Sequence, residues 1–473
     1  MSATTATTTT TDYRLGFTNQ TEEVRVDSLA VDGEIPDWLR GALIRVTPAQ
    51  PDVGGRSVTH WFDGLAMLHR FGVADGTVSY ASRFLDTRAR RKALARNRPP
   101  SGGFGVDPCR SLFQRVQSIF RPETTDNANV NLTRLGDEYI AMTETPLPIV
   151  FDPETLRTLG HDTAQRAYGQ IATAHPHHDP ERNELLAYAT HLGRRSEYRV
   201  FARRSRTEDR LIGSLPVREP AYMHSFGLTE SYALLLENPL VVNPVRLLTG
   251  GGFIHHFRWK PELGLRVHAI DRATGAHRAS WKLPARFIFH TINAFEEDGK
   301  VVVDVCAFPD AGIIELLELE NLRAGSESPL TGARPQRLTL PLDGTPPSER
   351  ELADVDIELP RINYRRNNTR PYRYVYGNGT GGAPFLKRIV KIDVTDGSFT
   401  AWEEPDAWAG EPVFVPRPDG EAEDDGVLMS VVLDAGAGRS FLLILDAATL
   451  QESARAYAPH HIPFGFHGQF FRA

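Results

Sequence analysis

The chain has 473 residues, 41% of them hydrophobic and 24% charged, with a formal net charge of −7. That composition excludes wholesale disorder, and the acidic balance argues against a nucleic-acid partner, which needs a basic footprint. Cys109 and Cys306 are the only cysteines, which excludes a disulfide framework and any cysteine-based zinc or iron–sulfur site and leads us to expect reduced thiols in a cytoplasmic setting.

Residues 1–12 are rich in threonine and have no apolar core, so they read as a disordered tail and not as a secretory signal. Residues 13–473 read as a single domain, because no Pro- or Gly-rich linker divides them. No stretch approaches the roughly 18 apolar residues of a membrane-spanning helix. Residues 109–121 place Leu112, Phe113, Val116, Ile119 and Phe120 at helical spacing, with Arg110, Arg115 and Arg121 on the other side. This is the pattern of a basic amphipathic helix at a membrane surface, though an ordinary surface helix packed on a core has it too. Short strands follow at 139–143, 185–189 and 232–236, then a run rich in β-branched residues at 301–308. Residues 427–433 and 441–445 form a strand pair around a hairpin loop at 434–438. Residues 344–352 read as a surface loop. Eight Asp-Gly dipeptides, with aspartates 32, 63, 75, 298, 343, 396, 419 and 425, read as hairpin turns. Many short strands along a long chain mean a sandwich, a barrel or a propeller. Length favours a propeller at about 40–50 residues per blade, although no repeat motif stands out.

Sixteen histidines are present, and the ordinary role of any one is a surface or core position. Four have unusual surroundings, each at the expected end of a strand beside small or aromatic residues. They are His175, His224, His290 and His467, separated by 49, 66 and 177 residues. No pair of histidines one helical turn apart offers a local metal motif. In a propeller, however, the innermost strands all point at one axis, where histidines from different blades can meet.

These residues resemble the carotenoid cleavage oxygenase family, which also contains the retinal pigment epithelium isomerohydrolase and the bacterial stilbene-cleaving dioxygenases. The resemblance runs through His60-Trp61-Phe62-Asp63-Gly64, residues 125–131, Thr143-Glu144-Thr145, the four histidine motifs, residues 410–415 and the closing Phe466-His467-Gly468. It implies an all-β fold, a seven-bladed β-propeller with a dome of helices and loops over one face. It implies one non-haem Fe(II) per chain, held by His175, His224, His290 and His467, with Glu144 serving His224, Glu358 serving His290 and Glu411 serving His467. Three outer carboxylates would offset a dication held by four neutral rings and fix their tautomers. Such a ligand set has no charged member to prime the iron with a co-substrate, so no oxoglutarate or pterin site is expected. The implied reaction is scission of a conjugated alkene by O2 to two carbonyl products. Val130 matches a position that crowds the open side of the iron, Thr143 one just inside the metal shell, and Phe289 and Phe466 flank ligands where a substrate tunnel would run.

Residues 104–131 are similar to the animal-type carotene oxygenase branch, in which this segment touches membrane. The implied partners are an apolar polyene and a peripheral membrane contact, on the inner face of a membrane, and the residues implied to make it are Leu112, Phe113, Val116, Ile119 and Phe120. The stilbene cleavers anchor a phenol with an early tyrosine and lysine. Here no lysine lies between Lys92 and Lys260, which favours a carotenoid or apocarotenoid over a stilbene. A propeller binding scaffold without a metal is the non-enzymatic alternative. One departure concerns Arg45-Val46-Thr47-Pro48, where the family has Arg-Asn-Gly-Pro; the missing glycine puts a local turn in doubt.

Overall fold

The computed structural model describes residues 12–100, 103–105, 125–248, 252–325 and 330–473. Seven antiparallel sheets, the blades of a propeller, account for nearly all of the strands. Blade I runs outward as Gly468–Arg472, Gly41–Gln50, Leu65–Ala74, Thr77–Phe84 and Arg25–Val26. The C-terminal strand is thus innermost in a blade otherwise built from the beginning of the chain, and this pairing closes the ring. Blades II to VI follow in chain order, with innermost strands Asn131–Leu135, the interrupted pair Ile171–Ala172 and His177–Asp179, Gly227–Leu228, Phe287–Glu297 and Glu358–Arg361. Blade VII begins with a second interrupted strand, Ala407–Ala409 and Val413–Pro416, and takes Val31–Gly33 as its outer edge.

Blade strands bury both faces, because each sheet packs against a neighbour on either side. Alternate residues of one strand therefore go to different interfaces. Val301, Val303 and Val305 pack with Leu234, Leu236 and Val267 of blade IV, while Val302 and Cys306 join Val375 and Val390 of blade VI. Leu43 faces blade VII, and Ala42, Ile44 and Val46 face blade II. This is why residues 301–308 read as a continuous apolar run and not as an alternation; they lie in the strand Lys300–Phe308.

Three expectations need correction. Ser348–Glu351, expected within a loop, is the outer strand of blade V; its polar, charged sequence is what a solvent-facing edge strand carries. Residues 45–48 do not form a turn at all. They lie inside the strand Gly41–Gln50, where Arg45 pairs on both sides and Val46, Thr47 and Pro48 pair with Leu68, Met67 and Ala66 on one; extended backbone there needs no glycine, and Thr47 uses its hydroxyl to bond His69 Nε2 at 2.9 Å. The Asp-Gly rule holds in part. Asp75-Gly76 and Asp298-Gly299 make two-residue hairpins with both φ positive, and four others lie at or border longer inter-strand loops. Asp32-Gly33 lies within a strand, and Asp63-Gly64 ends a helical turn.

A repeat also exists, in the outer turns. Asp152, Asp271 and Asp446 each accept hydrogen bonds through Oδ1 from the backbone N–H and hydroxyl of the threonine three residues on. The next residue takes positive φ, as Leu156, Gly275 and Leu450.

The dome is formed by loops and short helices, among them Tyr13–Phe17, Trp61–Asp63, Ile254–His256, Gly312–Leu316 and Leu319–Ala324. Its aromatic and aliphatic side chains form one cluster with the inner ends of blades V and VI. Of the expected tail only Asp12 is described, and it caps the first helical turn. Cys109 and the amphipathic segment with Leu112, Phe113, Val116, Ile119 and Phe120 lie outside the described residues.

Candidate metal centre

Each residue at the axis sits where an innermost strand starts, bends or breaks. His175 lies in the gap between the two inner segments of blade III, and Glu411 in the gap of blade VII. His224 and His467 precede the inner strands of blades IV and I. His290 falls at a register shift in Phe287–Glu297, and Glu358 opens a strand with another. A bulge or break re-aims a side chain that a regular pleat would turn into a blade interface. The expectation that all four histidines sit at strand ends is thereby replaced by strand starts and interruptions.

The four rings converge, with one nitrogen of each within 4.8 Å of the others. His175 and His224 Nε2 are 2.9 Å apart, and His290 and His467 Nε2 are 3.1 Å apart. Three of the rings donate through Nδ1: His224 to Glu144 at 2.7 Å, His290 to Glu358 at 2.5 Å and His467 to Glu411 at 2.7 Å. Among the described residues no carboxylate pairs with His175. These bonds fix the tautomers, so Nε2 of His290 and of His467 are both bare acceptors facing each other across 3.1 Å. Two such lone pairs repel unless a cation lies between them. Two imidazole nitrogens bound at right angles to one ion at about 2.1 Å stand about 3 Å apart, which matches both spacings. Burial holds His175 and His290 well below the ordinary histidine range and His467 at about 4, so all three are neutral at pH 7, the form that binds a metal. The donor set and its spacing fit a dication.

The three carboxylates keep different company. Tyr222 donates its hydroxyl to Glu144, 3.0 Å from each oxygen. Glu358 accepts from the backbone N–H of Leu359 at 2.7 Å, its other oxygen has no partner, and burial pushes it up to about 7. Glu411 is fully buried. Burial alone would raise it, but Arg361, His467 and Arg45 hold it well below the usual carboxylate range. Tyr222, Arg45 and Arg361 were not singled out from the sequence.

On the dome side a cavity opens beside the rings. Val130, Thr143, Phe289 and Phe466 all line it, with His224, His290 and His467. Trp61, Phe62, Phe104 and Phe308 extend the aromatic wall, and Ile313, Leu317 and Ile357 the aliphatic one. The His60–Gly64 segment is the frame of this wall. His60 Nε2 donates to the carbonyl of Ile314 at 3.0 Å, and Asp63 accepts from the N–H of Phe104 and of Gly105 at 2.6 and 2.8 Å. A side chain at Gly103 would collide with Asp63 Oδ1, 1.9 Å from an added Cβ. Asn127 and Asn129 complete the frame by donating to the carbonyls of Gly64 and Phe62. Neither a lysine nor a tyrosine lines the cavity among the described residues, and Lys92 is exposed on the helix Arg88–Arg96.

The family described as retinal pigment epithelial membrane protein matches residues 17–472. Carotenoid isomerooxygenase of Galleria mellonella is 35% identical over 474 residues, covering 93% of this chain and 92% of its own length. Beta,beta-carotene 15,15'-dioxygenase of Homo sapiens is 32% identical over 514 residues, covering 96% and 93%. A solved variant of Synechocystis apocarotenoid oxygenase superposes with a TM-score of 0.87 at 27% identity over 98% of each chain; a cobalt-substituted form gives 0.86.

Proposed function

This chain belongs to the retinal pigment epithelial membrane protein family of carotenoid cleavage oxygenases, and from that premise we propose that it is a non-haem iron dioxygenase that cleaves one conjugated double bond of a carotenoid or apocarotenoid. The observation that carries this reading is the pair of bare Nε2 acceptors, His290 and His467, within a four-histidine cluster that borders an aromatic cavity. Imidazole ligands suit iron among other transition metals, and the family points to Fe(II), one per chain. His175, His224, His290 and His467 would hold the Fe(II), which would supply the redox chemistry that lets O2 react with a closed-shell alkene.

The other tasks fall to the protein. Glu144, Glu358 and Glu411 hold three rings in the ligating tautomer. Phe289, Phe466, Trp61 and Phe62 give a flat conjugated chain apolar contact and exclude water. Val130 and Thr143, at the same wall, limit which carbon pair can approach the rings, so selection of the bond is a matter of position. The C=C bond breaks and each carbon takes one oxygen atom of O2, so the step balances without a further reductant and without a proton donor. Among the described residues the cavity wall holds no lysine, arginine or tyrosine to anchor a hydroxystilbene. The amphipathic pattern of 109–121 supports a peripheral contact with the inner face of a membrane, where such a substrate dissolves.

The test is an anaerobically prepared, Fe(II)-loaded sample exposed to isotopically labelled O2 with β-carotene, an apocarotenal and a hydroxystilbene in detergent, read by chromatography and mass spectrometry. Labelled retinal or a shorter apocarotenal is expected, its length identifying the bond cut. Aromatic aldehydes from the stilbene, with no product from either polyene, would overturn the substrate assignment.

A further inference from the structure

The three glutamates that serve the rings differ in charge balance. Glu144 is joined by a neutral phenol and Glu358 by a backbone N–H, and among the described residues neither has an arginine or lysine within ion-pair reach. Glu411 has two. Arg361 Nε donates to the same oxygen that accepts from His467, at 2.8 Å, and Arg45 Nη1 lies 3.5 Å from the other oxygen and donates to the Glu411 carbonyl at 3.1 Å. The same two arginines hold the backbone on either side of His467. Arg45 Nη2 donates to the Phe466 carbonyl at 3.0 Å, and Arg361 Nη2 to the Gly468 carbonyl at 2.6 Å. The Gly468 N–H returns to Glu411 at 2.9 Å. The side chains of Arg45 and Glu411 are 3% and 1% exposed, so water screens little of this interaction.

We infer that Arg45 and Arg361 are positioning residues of the metal centre, which clamp His467 and cancel the charge that Glu411 would otherwise lend to it, so that the metal is held preferentially in its lower oxidation state. The inference rests on the metal-binding reading above. A carboxylate that accepts from a ligating imidazole makes the ring a stronger donor and favours the higher oxidation state. An arginine on the same oxygen competes for that charge and reverses the effect. A dication, the three carboxylates and the two guanidiniums leave one net positive charge at the centre; without the arginines the same groups leave one net negative charge. Such a difference within a buried site moves a reduction potential. It also makes the His467 arm unlike the His224 and His290 arms, whose glutamates pair with no arginine or lysine among the described residues.

The test uses the full chain loaded with Fe(II), with the potential measured by mediator titration, and the same proteins loaded with Co(II), with their visible spectrum recorded. Arg361→Gln leaves Arg45 in place to hold Glu411. It is expected to bind one metal per chain, to shift the ferric-to-ferrous ratio at a fixed poise about tenfold toward ferric, a fall of about 59 mV, and to alter the Co(II) spectrum. Arg361→Lys keeps the charge and is expected to stay near the wild-type potential. Tyr222→Phe removes a neutral donor from Glu144 and is expected to stay there too. An unchanged potential in Arg361→Gln overturns the clamp, and so does an equal fall in Arg361→Lys or in Tyr222→Phe. If Arg361→Gln does not fold, Arg361→Lys decides, because a fall there removes charge as the cause. Failure of the wild-type chain to bind either metal would instead sink the reading on which the inference rests.

Discussion

His224 shows how much one side chain at the axis has to hold in place. Its Nδ1–H occupies Glu144, whose oxygens also take the Tyr222 hydroxyl, and its Nε2 stands 2.9 Å from that of His175. His224→Ala removes one of the four rings proposed to hold the metal and leaves Glu144 with only a phenol to answer its charge. Loss of an outer partner alone typically costs 10–100-fold in metal affinity, so loss of the ring itself is expected to lower Fe(II) affinity by more than about 100-fold and to abolish polyene cleavage. Metal analysis after dialysis, with circular dichroism to check folding, reads the result. A variant that keeps one iron and cleaves polyene at the wild-type rate would show that the cluster is not the centre, and a metal-free scaffold would then be the better reading. The histidines stood out by their local surroundings, while their convergence and the pairing with Glu144, Glu358 and Glu411 were legible only through the family resemblance of those motifs. Tyr222 was equally close to hand, two residues before His224, and its hydroxyl stands 3.3 Å from His224 Nδ1. Arg45 and Arg361 were not. Each reaches Glu411 across 366 or 50 residues of chain, and nothing local in a sequence marks an arginine as the partner of a distant buried acid.

Strands with strong β-branched or aliphatic runs could be read directly, as with Lys300–Phe308 and the pair Gly426–Asp434 and Arg439–Asp446. Blade edges were harder. Ser348–Glu351 carries the charge that protects an edge from association, and charge is also what a loop carries. The repeating Asp–Thr turn escaped notice because only two identities recur and the following positive φ falls on leucine as well as on glycine. In the sequence of 109–121, Leu112, Phe113, Val116, Ile119 and Phe120 recur at helical spacing, and the proposed membrane contact would be bound through buried apolar area plus attraction of basic residues to anionic lipid. Two buried phenylalanines contribute roughly 1.5–3 kcal/mol each. The double variant Phe113→Asp with Phe120→Asp is therefore expected to weaken binding to vesicles containing anionic lipid by more than about 100-fold, with iron content unchanged. Flotation with such vesicles measures it. Unaltered binding would make this an ordinary surface helix.

Ring closure sets the behaviour of the whole molecule. The last strand, Gly468–Arg472, pairs with Gly41–Gln50, and His467 just before it stands at the axis, so closure and the centre share one segment. A consequence follows for acid stability, because the ring closes over many neutral histidines. Burial holds His60 at about 3 and His177, His461 and His467 at about 4, with His69, His175 and His290 well below the ordinary value of 6.5. In the unfolded chain all of them titrate near 6.5. Between the folded and unfolded values the unfolded chain therefore binds more protons, and stability rises with pH. It is complete above about 6.5 and is lost as the pH falls toward 4. Asp63, raised by burial to about 6, and Glu358, raised to about 7, act in the opposite sense, since their contribution is present at low pH and lost as the pH rises. Two groups do not offset seven, and a bound dication would bring Glu358 down. A shift of about two units is worth roughly 3 kcal/mol, so three such rings alone approach the 5–15 kcal/mol by which proteins are ordinarily stable. The metal-free chain is thus expected to lose its thermal midpoint steeply between pH 6.5 and 4. Fe(II) should raise the midpoint most near neutral pH, where protons do not compete for the rings. Thermal melts by circular dichroism across that window, with and without Fe(II), provide the measurement. A midpoint that stays level from pH 7 to 4 would mean that these histidines are protonated, or open to water, in the folded protein.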